Sequence, residues 1–474
     1  MAIDKELAFA PASEHRALIA EKQISPVELT QLYLDRIEEF DSRFNSYLTV
    51  TAEEAMKAAR TAEDAVARGE DLGLLHGIPI SVKDLELTKG IRTTSGSLIF
   101  KDRVPDEDSV IVERIREAGA VILGKTNTPE FGMLGMTQNR LGDHCRNPWN
   151  PEHTTGGSSG GAGAAVVAGL CSLATGSDAG GSVRIPASFC GIYGIKPTQG
   201  RVARYTGAAA PVAANHLSQP GPMTRTVADS ALLLHVMAGH DSRDPTSLRD
   251  PVPNYVAAVD RDIRGLKIAW SPDYGYAAVD PEVVEVTSRA AHVYEELGCT
   301  VDDTSLAFDS SWDTYSTISG AGSIRGYGAI LEQHGDLLTD YARKSIASGA
   351  PITGAEYAGA LGHMDRLKAQ VADLLEEYDL LLSPTMAVPA FPVGEPPTEI
   401  GGREVDSSWG YLPFTFPINV VGHPAASVPC GFSSGGMPIG LHIVGRRLDE
   451  ETVIAASAAF ERVRPWSARR PPNV

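Results

Sequence analysis

Cysteine is scarce and unpatterned. The 474 residues hold five, Cys145, Cys171, Cys190, Cys299 and Cys430, an odd number without a C-x-x-C pair. This argues against a disulfide framework or a zinc site and fits a reducing cytoplasm. Long apolar runs are missing as well: no segment reaches the roughly 20 residues that a membrane span needs. The opening MAIDKELAFAPASEH has no basic stretch followed by an apolar one, so no membrane anchor and no export are expected. Positive charge is also short. With 41 Lys and Arg against 60 Asp and Glu, the net charge is −19, which repels phosphate backbones and disfavours a nucleic-acid partner.

What the chain does have is glycine and proline, 47 and 31 residues, on an otherwise ordinary globular balance of 43% hydrophobic and 21% charged residues. Its length exceeds the usual single domain. There is neither a tandem repeat nor a clear linker, so one large domain over residues 1–474 is expected.

Ser25-Pro26-Val27-Glu28 combines an N-cap serine, proline at the first helical position and glutamate three residues after the cap, predicting a helix to about Phe40. A second helix is predicted over 52–69. GIPISV (77–82) is short, β-branched and bounded by glycine, which reads as a strand delivering Lys83 at its end. Helices near 107–118 and from about 161 then alternate with strands at 120–123 and 172–176. GLKIAW, a helix near 281–297 and CTVDD repeat the β-α-β pattern, followed by a helix near 355–377, strands at 378–383, 426–430 and 438–445, and a last helix over 450–462. This is α/β organisation with strands collected from the whole chain. Seven prolines between 384 and 417 predict a long ordered loop.

Two serine sites sit in glycine-rich backbone, Thr155-Gly156-Gly157-Ser158-Ser159-Gly160-Gly161 and Asp178-Ala179-Gly180-Gly181-Ser182. Taken alone, each reads first as a tight turn. The second follows a predicted strand and places consecutive peptide N–H groups before a hydroxyl, which is how an oxyanion hole is made. Asp178 and Arg184 flank the serine and could clamp the loop as an ion pair; a solvated pair is an equal reading. A serine nucleophile needs a base. Of the twelve histidines, His144, His153 and His216 lie near these motifs, but none forms a triad signature and each reads as structural. Lys83 is the alternative, with neighbouring Asp84 pointing to the opposite face of the strand. Acting as a base near neutrality requires its pKa to fall ~3 units, which burial without a paired acid supplies. From Lys83 alone, a surface lysine at a strand end is the simpler reading.

Two formal motif matches fail on context. Gly119 to Thr126 fits the P-loop expression, yet its intervening residues are Ala120, Val121, Ile122 and Leu123, a buried-strand run where a phosphate cradle needs a loop. Gly156 to Gly160 fits the G-x-S-x-G elbow, but an elbow follows a core strand, and NPWNPEHTT before it is polar and proline-punctuated.

GIPISVKD (77–84), RNPWNPEHTTGGSSGG (146–161), GSDAGGSVRIPASFCGIYGIKPT (176–198) and GPMTRTVADSALLL (221–234), in this order and spacing, resemble the amidase signature family. The core of the resemblance is about 77–234, and it extends to PIGLHIVGRR (438–447). It implies a Ser-cisSer-Lys triad of Ser182, Ser158 and Lys83: Ser182 attacks the carbonyl, Ser158 in a cis peptide relays the proton, and neutral Lys83 receives it. It further implies an oxyanion hole of backbone N–H groups from Ala179, Gly180, Gly181 and Ser182, and an α/β fold with a twisted, mostly parallel mixed β-sheet of many strands covered by helices. The implied reaction is hydrolysis of a small amide through an acyl-enzyme, with water as co-substrate and no cofactor or metal. Homodimers are frequent in the family. Thr155 stands where proline is frequent and Ala162 where serine is common, departures that spare the triad.

Within the resemblance the rival is the glutaminase subunit of a tRNA-dependent amidotransferase, which works in a complex. Residues 205–220 look more like free-standing amidases. Carbamate or ester hydrolysis would use the same machinery, and the specificity segments are expected at 125–145, 305–355 and 385–417. The P-loop match is tested by titration calorimetry with ATP, which is expected to show no binding heat.

Overall fold

In the computed structural model, which describes all residues except 1–3, 71, 206, 208–215, 305, 307, 309–310 and 473, the β-branched segments assemble into one eleven-stranded mixed sheet. Its strands are β1 (Tyr47–Val50), β2 (Pro79–Lys83), β3 (Val121–Thr126), β4 (Leu173–Asp178), β5 (Tyr193–Lys196), β6 (Gln219–Thr224), β7 (Lys267–Trp270), β8 (Thr300–Asp303), β9 (Leu380–Pro384), β10 (Ala425–Phe432) and β11 (Pro438–Gly445). The order across the sheet is β1-β3-β2-β4-β6-β5-β10-β11-β9-β7-β8. Parallel ladders join β3-β2-β4 and β9-β7-β8, four pairs in all. The six other neighbours pair antiparallel, so parallel pairing belongs to two blocks separated by an antiparallel centre. The βαβ segments supply the parallel blocks, while the short turn between β10 and β11 can only reverse the chain.

Fourteen α-helices accompany the sheet among the described residues. Every residue of β2, β3, β4, β5, β6, β9 and β11 is buried, so these strands are covered on both faces. The predicted first helix is Pro26–Phe44, closed by a capping box between Ser25 and Glu28, and the second is Ala52–Arg68. Val121–Thr126, the body of the P-loop match, is strand β3, as its apolar run required. The 384–417 loop holds only a two-residue hairpin, Glu399–Ile400 with Arg403–Glu404, before a short helix Phe416–Val421.

Several elements carried no usable pattern. β6 reads QPGPMT, a composition ordinarily kept out of central strands, yet it lies between β4 and β5. The 24-residue helix Ser311–His334 holds Gly320, Gly322, Gly326 and Gly328, which weaken both propensity and periodicity. No helix among the described residues is long and apolar enough to cross a membrane.

The topology decides where chemistry can occur. β2 ends on Lys83 and its parallel neighbour β4 ends on Asp178, just before the Gly180-Gly181-Ser182 turn. The two predicted site segments therefore leave the sheet side by side at the carboxyl ends of adjacent parallel strands, where open α/β sheets bind ligands.

Candidate active site

Lys83 is completely buried at the end of β2. Its Nζ lies 2.8 Å from Ser158 Oγ and 2.8 Å from Ser159 Oγ, with Ser177 Oγ at 3.1 Å and the Ser177 carbonyl oxygen at 3.3 Å. All four neighbours are neutral oxygens. Burial therefore dominates and brings the ammonium down to about 7, against smaller opposing effects of the Glu86 and Asp178 carboxylates. Asp84 faces away, as strand alternation requires, accepting hydrogen bonds from the N–H groups of Thr94 and Gly96. Two other lysines, Lys125 and Lys196, are equally buried. Lys125 donates to Thr88 and Thr93, and Lys196 to the carbonyls of Pro197 and His423, so only Lys83 of the three reaches the serine motifs.

The Gly157–Ser158 peptide is cis. The turn is packed so tightly that a Cβ on Gly157 would lie 2.7 Å from the backbone of Met136, which accounts for the glycine there. The preceding Asn150–Thr154 segment pairs with Arg146–Asn147 and, through a bridge at His153, with Pro392, both outside the main sheet, and thus lacks the core strand of a nucleophile elbow. Ser159 then leads into the small-residue helix Gly160–Val167.

Ser182 stands on the loop after β4, partly exposed, and its carbonyl accepts from the Ser159 N–H at 3.2 Å, tying the two serine loops together. The loop is braced from behind by a pair with no exposure at all: Arg184 Nε and Nη2 donate to Asp178 Oδ2 and Oδ1 at 2.9 and 3.0 Å. Burial alone would raise the Asp178 carboxyl, but the guanidinium outweighs it and holds the group well below the usual carboxylate range. Asp178 also accepts from the N–H groups of Gly181 at 2.7 Å and Val183 at 3.2 Å. Of the four N–H groups expected at an oxyanion hole, that of Gly181 is thus turned toward Asp178. Gly181 has φ +126°, and a Cβ there would meet Thr415 Oγ1 at 2.3 Å, so this position admits only glycine.

Three residues of this scaffold escaped the sequence reading. Thr415 Oγ1 donates to the Gly180 carbonyl at 2.7 Å, fixing the peptide plane beside Gly181. Asn419 accepts from Arg184 Nη2 at 2.6 Å and donates to the Asp178 carbonyl at 2.9 Å. His442 Nε2 accepts from Arg184 Nη1 at 3.0 Å, which places its proton on Nδ1; burial keeps this imidazole neutral. Asn419 is the one polar side chain in FPINVV and His442 the one in PIGLHIVG. A lone polar group in a fully buried apolar run must find a partner, and that was the available signal. His144, His153 and His216 are partly buried and none hydrogen-bonds to Lys83, Ser158 or Ser182 among the described residues.

A buried lysine against a serine loop, beside a second serine on a glycine turn, is an arrangement for acyl transfer, and known proteins match it along its length. The Amidase family model matches residues 28–454. The chain belongs to the amidase signature family. Over 97% of both chains it superposes on a bacterial aryl acylamidase of that family, with TM-score 0.90 and 33% identity. Over 98% of this chain and 99% of the other it matches 6-aminohexanoate cyclic dimer hydrolase, with TM-score 0.89 and 32% identity. By sequence it is 42% identical to a glutamyl-tRNA(Gln) amidotransferase subunit of Moorella thermoacetica, across 98% of this chain and 99% of that one. It is 36% identical to an acylamidase of Rhodococcus erythropolis, across 99% and 98% respectively. The protein is a hydrolase of amide C–N bonds. Among the described residues no group of three or more His, Cys, Asp and Glu side chains could hold a metal ion.

Because Asp178 and Arg184 are fully buried, removing one leaves an uncompensated charge under the Ser182 loop. Arg184→Ala is expected to cost about 3–5 kcal/mol, read as a shift of the urea midpoint at unchanged slope. Arg184→Lys is expected to recover little, since an ammonium cannot reproduce the bidentate fork.

Proposed function

We propose that this amidase cleaves small amides with Ser182 as nucleophile, Ser158 as proton relay and Lys83 as base. The observation that carries the reading is the buried, uncompensated Lys83 at 2.8 Å from the hydroxyl of cis-linked Ser158. With its pKa brought down to about 7, Lys83 can shed its proton near neutral pH and then accept one.

In this reading the Ser182 proton passes to Ser158 Oγ as the Ser158 proton passes to Lys83 Nζ, and Ser182 Oγ bonds to the carbonyl carbon. The carbonyl oxygen becomes the oxyanion, received by the N–H groups of Ala179, Gly180 and Ser182. Gly181, whose N–H is held by Asp178, serves the shape of the loop instead. Each well-placed donor is worth roughly 3–4 kcal/mol of barrier. When the intermediate collapses, the C–N bond breaks, the nitrogen takes a proton from Ser158, and Ser158 takes one from Lys83. Water then repeats the sequence on the acyl-enzyme, releasing the acid and restoring Ser182.

A free-standing hydrolase is supported by the aryl acylamidase and cyclic dimer hydrolase likenesses, at TM-scores 0.90 and 0.89, against 0.80 for the corresponding amidotransferase subunit of Thermotoga maritima. The 42% identity to the Moorella protein favours a second reading, a glutaminase within a complex. Residues 206 and 208–215, most of the stretch whose sequence favours the free enzyme, lie outside the described residues. The purified chain alone is expected to hydrolyse acetanilide or benzamide; glutaminase activity that appears only with partner subunits would establish the second reading.

Ser182→Ala is expected to lower kcat on the order of 10⁴-fold or more, and a fluorophosphonate is expected to label Ser182 and not Ser158. Lys83→Ala is expected to abolish turnover while the protein stays folded, since Lys83 has no carboxylate partner to lose.

The rate should climb with pH as Lys83 deprotonates. kcat/KM is expected to rise through an apparent pKa of about 7. Between about 7 and the ordinary lysine value of 10.5 the unfolded chain binds more protons than the folded one, so this group makes folding more favourable as pH rises through that window. A flat profile between pH 6 and 8 would remove lysine as the base.

A further inference from the structure

Two of the chain's five tryptophans stand in one aromatic group beside the nucleophile loop. Trp312 and Tyr315 come from the first turns of the helix Ser311–His334, Trp409 from the proline-rich loop and Phe416 from the helix after it. Trp312 stacks on Trp409 with centroids 5.0 Å apart and planes 16° apart, and on Tyr315 at 5.5 Å and 28°. Phe416 closes the base edge-on to Trp312 at 5.3 Å. Phe416 is completely buried, whereas Trp312, Tyr315 and Trp409 remain partly exposed. A sealed core would hide all four; here a buried ring supports three that still present surface.

The group adjoins the reacting centre. A Cβ placed on Gly180 would lie 2.5 Å from the Tyr315 hydroxyl oxygen and 3.0 Å from Cζ, so the phenol ring rests directly on the Gly180 backbone. The same peptide is fixed through its carbonyl by Thr415, the residue next to Phe416. A carbonyl held over Ser182 by the N–H groups of this loop thus has Tyr315 as a neighbour. Aromatic walls suit flat apolar groups: rings stack offset or edge-on, and rigid side chains lose little entropy when a ligand arrives. Their electron-rich faces repel a carboxylate, which an amino-acid amide such as glutamine would bring.

We infer that Tyr315, Trp312 and Trp409 form the subsite that selects amides carrying a flat apolar ring, with Tyr315 as the specificity-determining residue. The inference rests on Ser182 being the nucleophile. Acetanilide carries the ring on the amine half, benzamide on the acyl half, and N-butylacetamide carries none.

The test is kcat/KM for these three amides in the wild type, Tyr315→Phe, Tyr315→Leu and Trp409→Leu, with fluorophosphonate labelling of Ser182 as the measure of an intact site. The wild type is expected to prefer at least one ring-bearing amide over N-butylacetamide. Tyr315→Phe should keep that preference. Tyr315→Leu should lower it about three- to tenfold, mainly through KM, and Trp409→Leu should lower it in the same direction at a position away from the Gly180 backbone. Whichever of acetanilide and benzamide loses more identifies the half that meets the wall. An unchanged ratio in both leucine variants with labelling intact would overturn the inference, as would equal turnover of N-butylacetamide by the wild type. Absence of label on Ser182 in the wild type would instead overturn the nucleophile assignment on which it rests.

Discussion

Two cations lie buried within one framework, and they are compensated differently. Arg184 has Asp178 in a bidentate pair with no exposure, while Lys83 has only hydroxyls and a carbonyl. Pairing holds the first in a fixed bidentate geometry. Leaving the second unpaired costs on the order of 5 kcal/mol of charged-state stability, taken from the drop in its pKa to about 7. The rest of the framework follows from that asymmetry: a fixed electrostatic brace behind the loop, and in front of it a lysine whose charged form burial disfavours.

The brace also explains why the Ser182 loop has its shape. Asp178 uses its oxygens on Arg184 and on the N–H groups of Gly181 and Val183, so the carboxylate folds the turn over itself. Thr415 and Asn419, more than 230 residues later, hold the same turn through the Gly180 and Asp178 carbonyls. The last third of the chain thus shapes a turn whose own residues come from the first half. Tyr315, partly exposed and stacked with Trp312, packs on the Gly180 backbone of that turn as well.

Helices and buried parallel strands were legible wherever local signals agreed. The Ser25 capping box marked a real helix start, and GIPISV marked the strand that carries Lys83. Legibility failed where tertiary packing overrode local preference. β6 sits centrally despite two prolines, and the glycine-rich helix Ser311–His334 forms where its own propensity is poor. The parallel character of the sheet was legible for the flanks, where βαβ units enforce it, and not for the antiparallel centre, whose strand order depends on long-range pairing.

By itself the sequence determined the inventory of the chemistry: a strand-end lysine, two serines in glycine-rich turns, an acid and an arginine six residues apart, and no disulfide or zinc spacing to compete with them. These are local facts, set by residue type and short spacing. Only the tertiary structure decided that Lys83 is buried without a counter-charge, that Asp178 spends the Gly181 N–H, and that Thr415, Asn419 and Tyr315 close on the same loop. Burial, pKa and the meeting of distant side chains depend on which strands lie next to one another, and that order is a property of the whole folded chain.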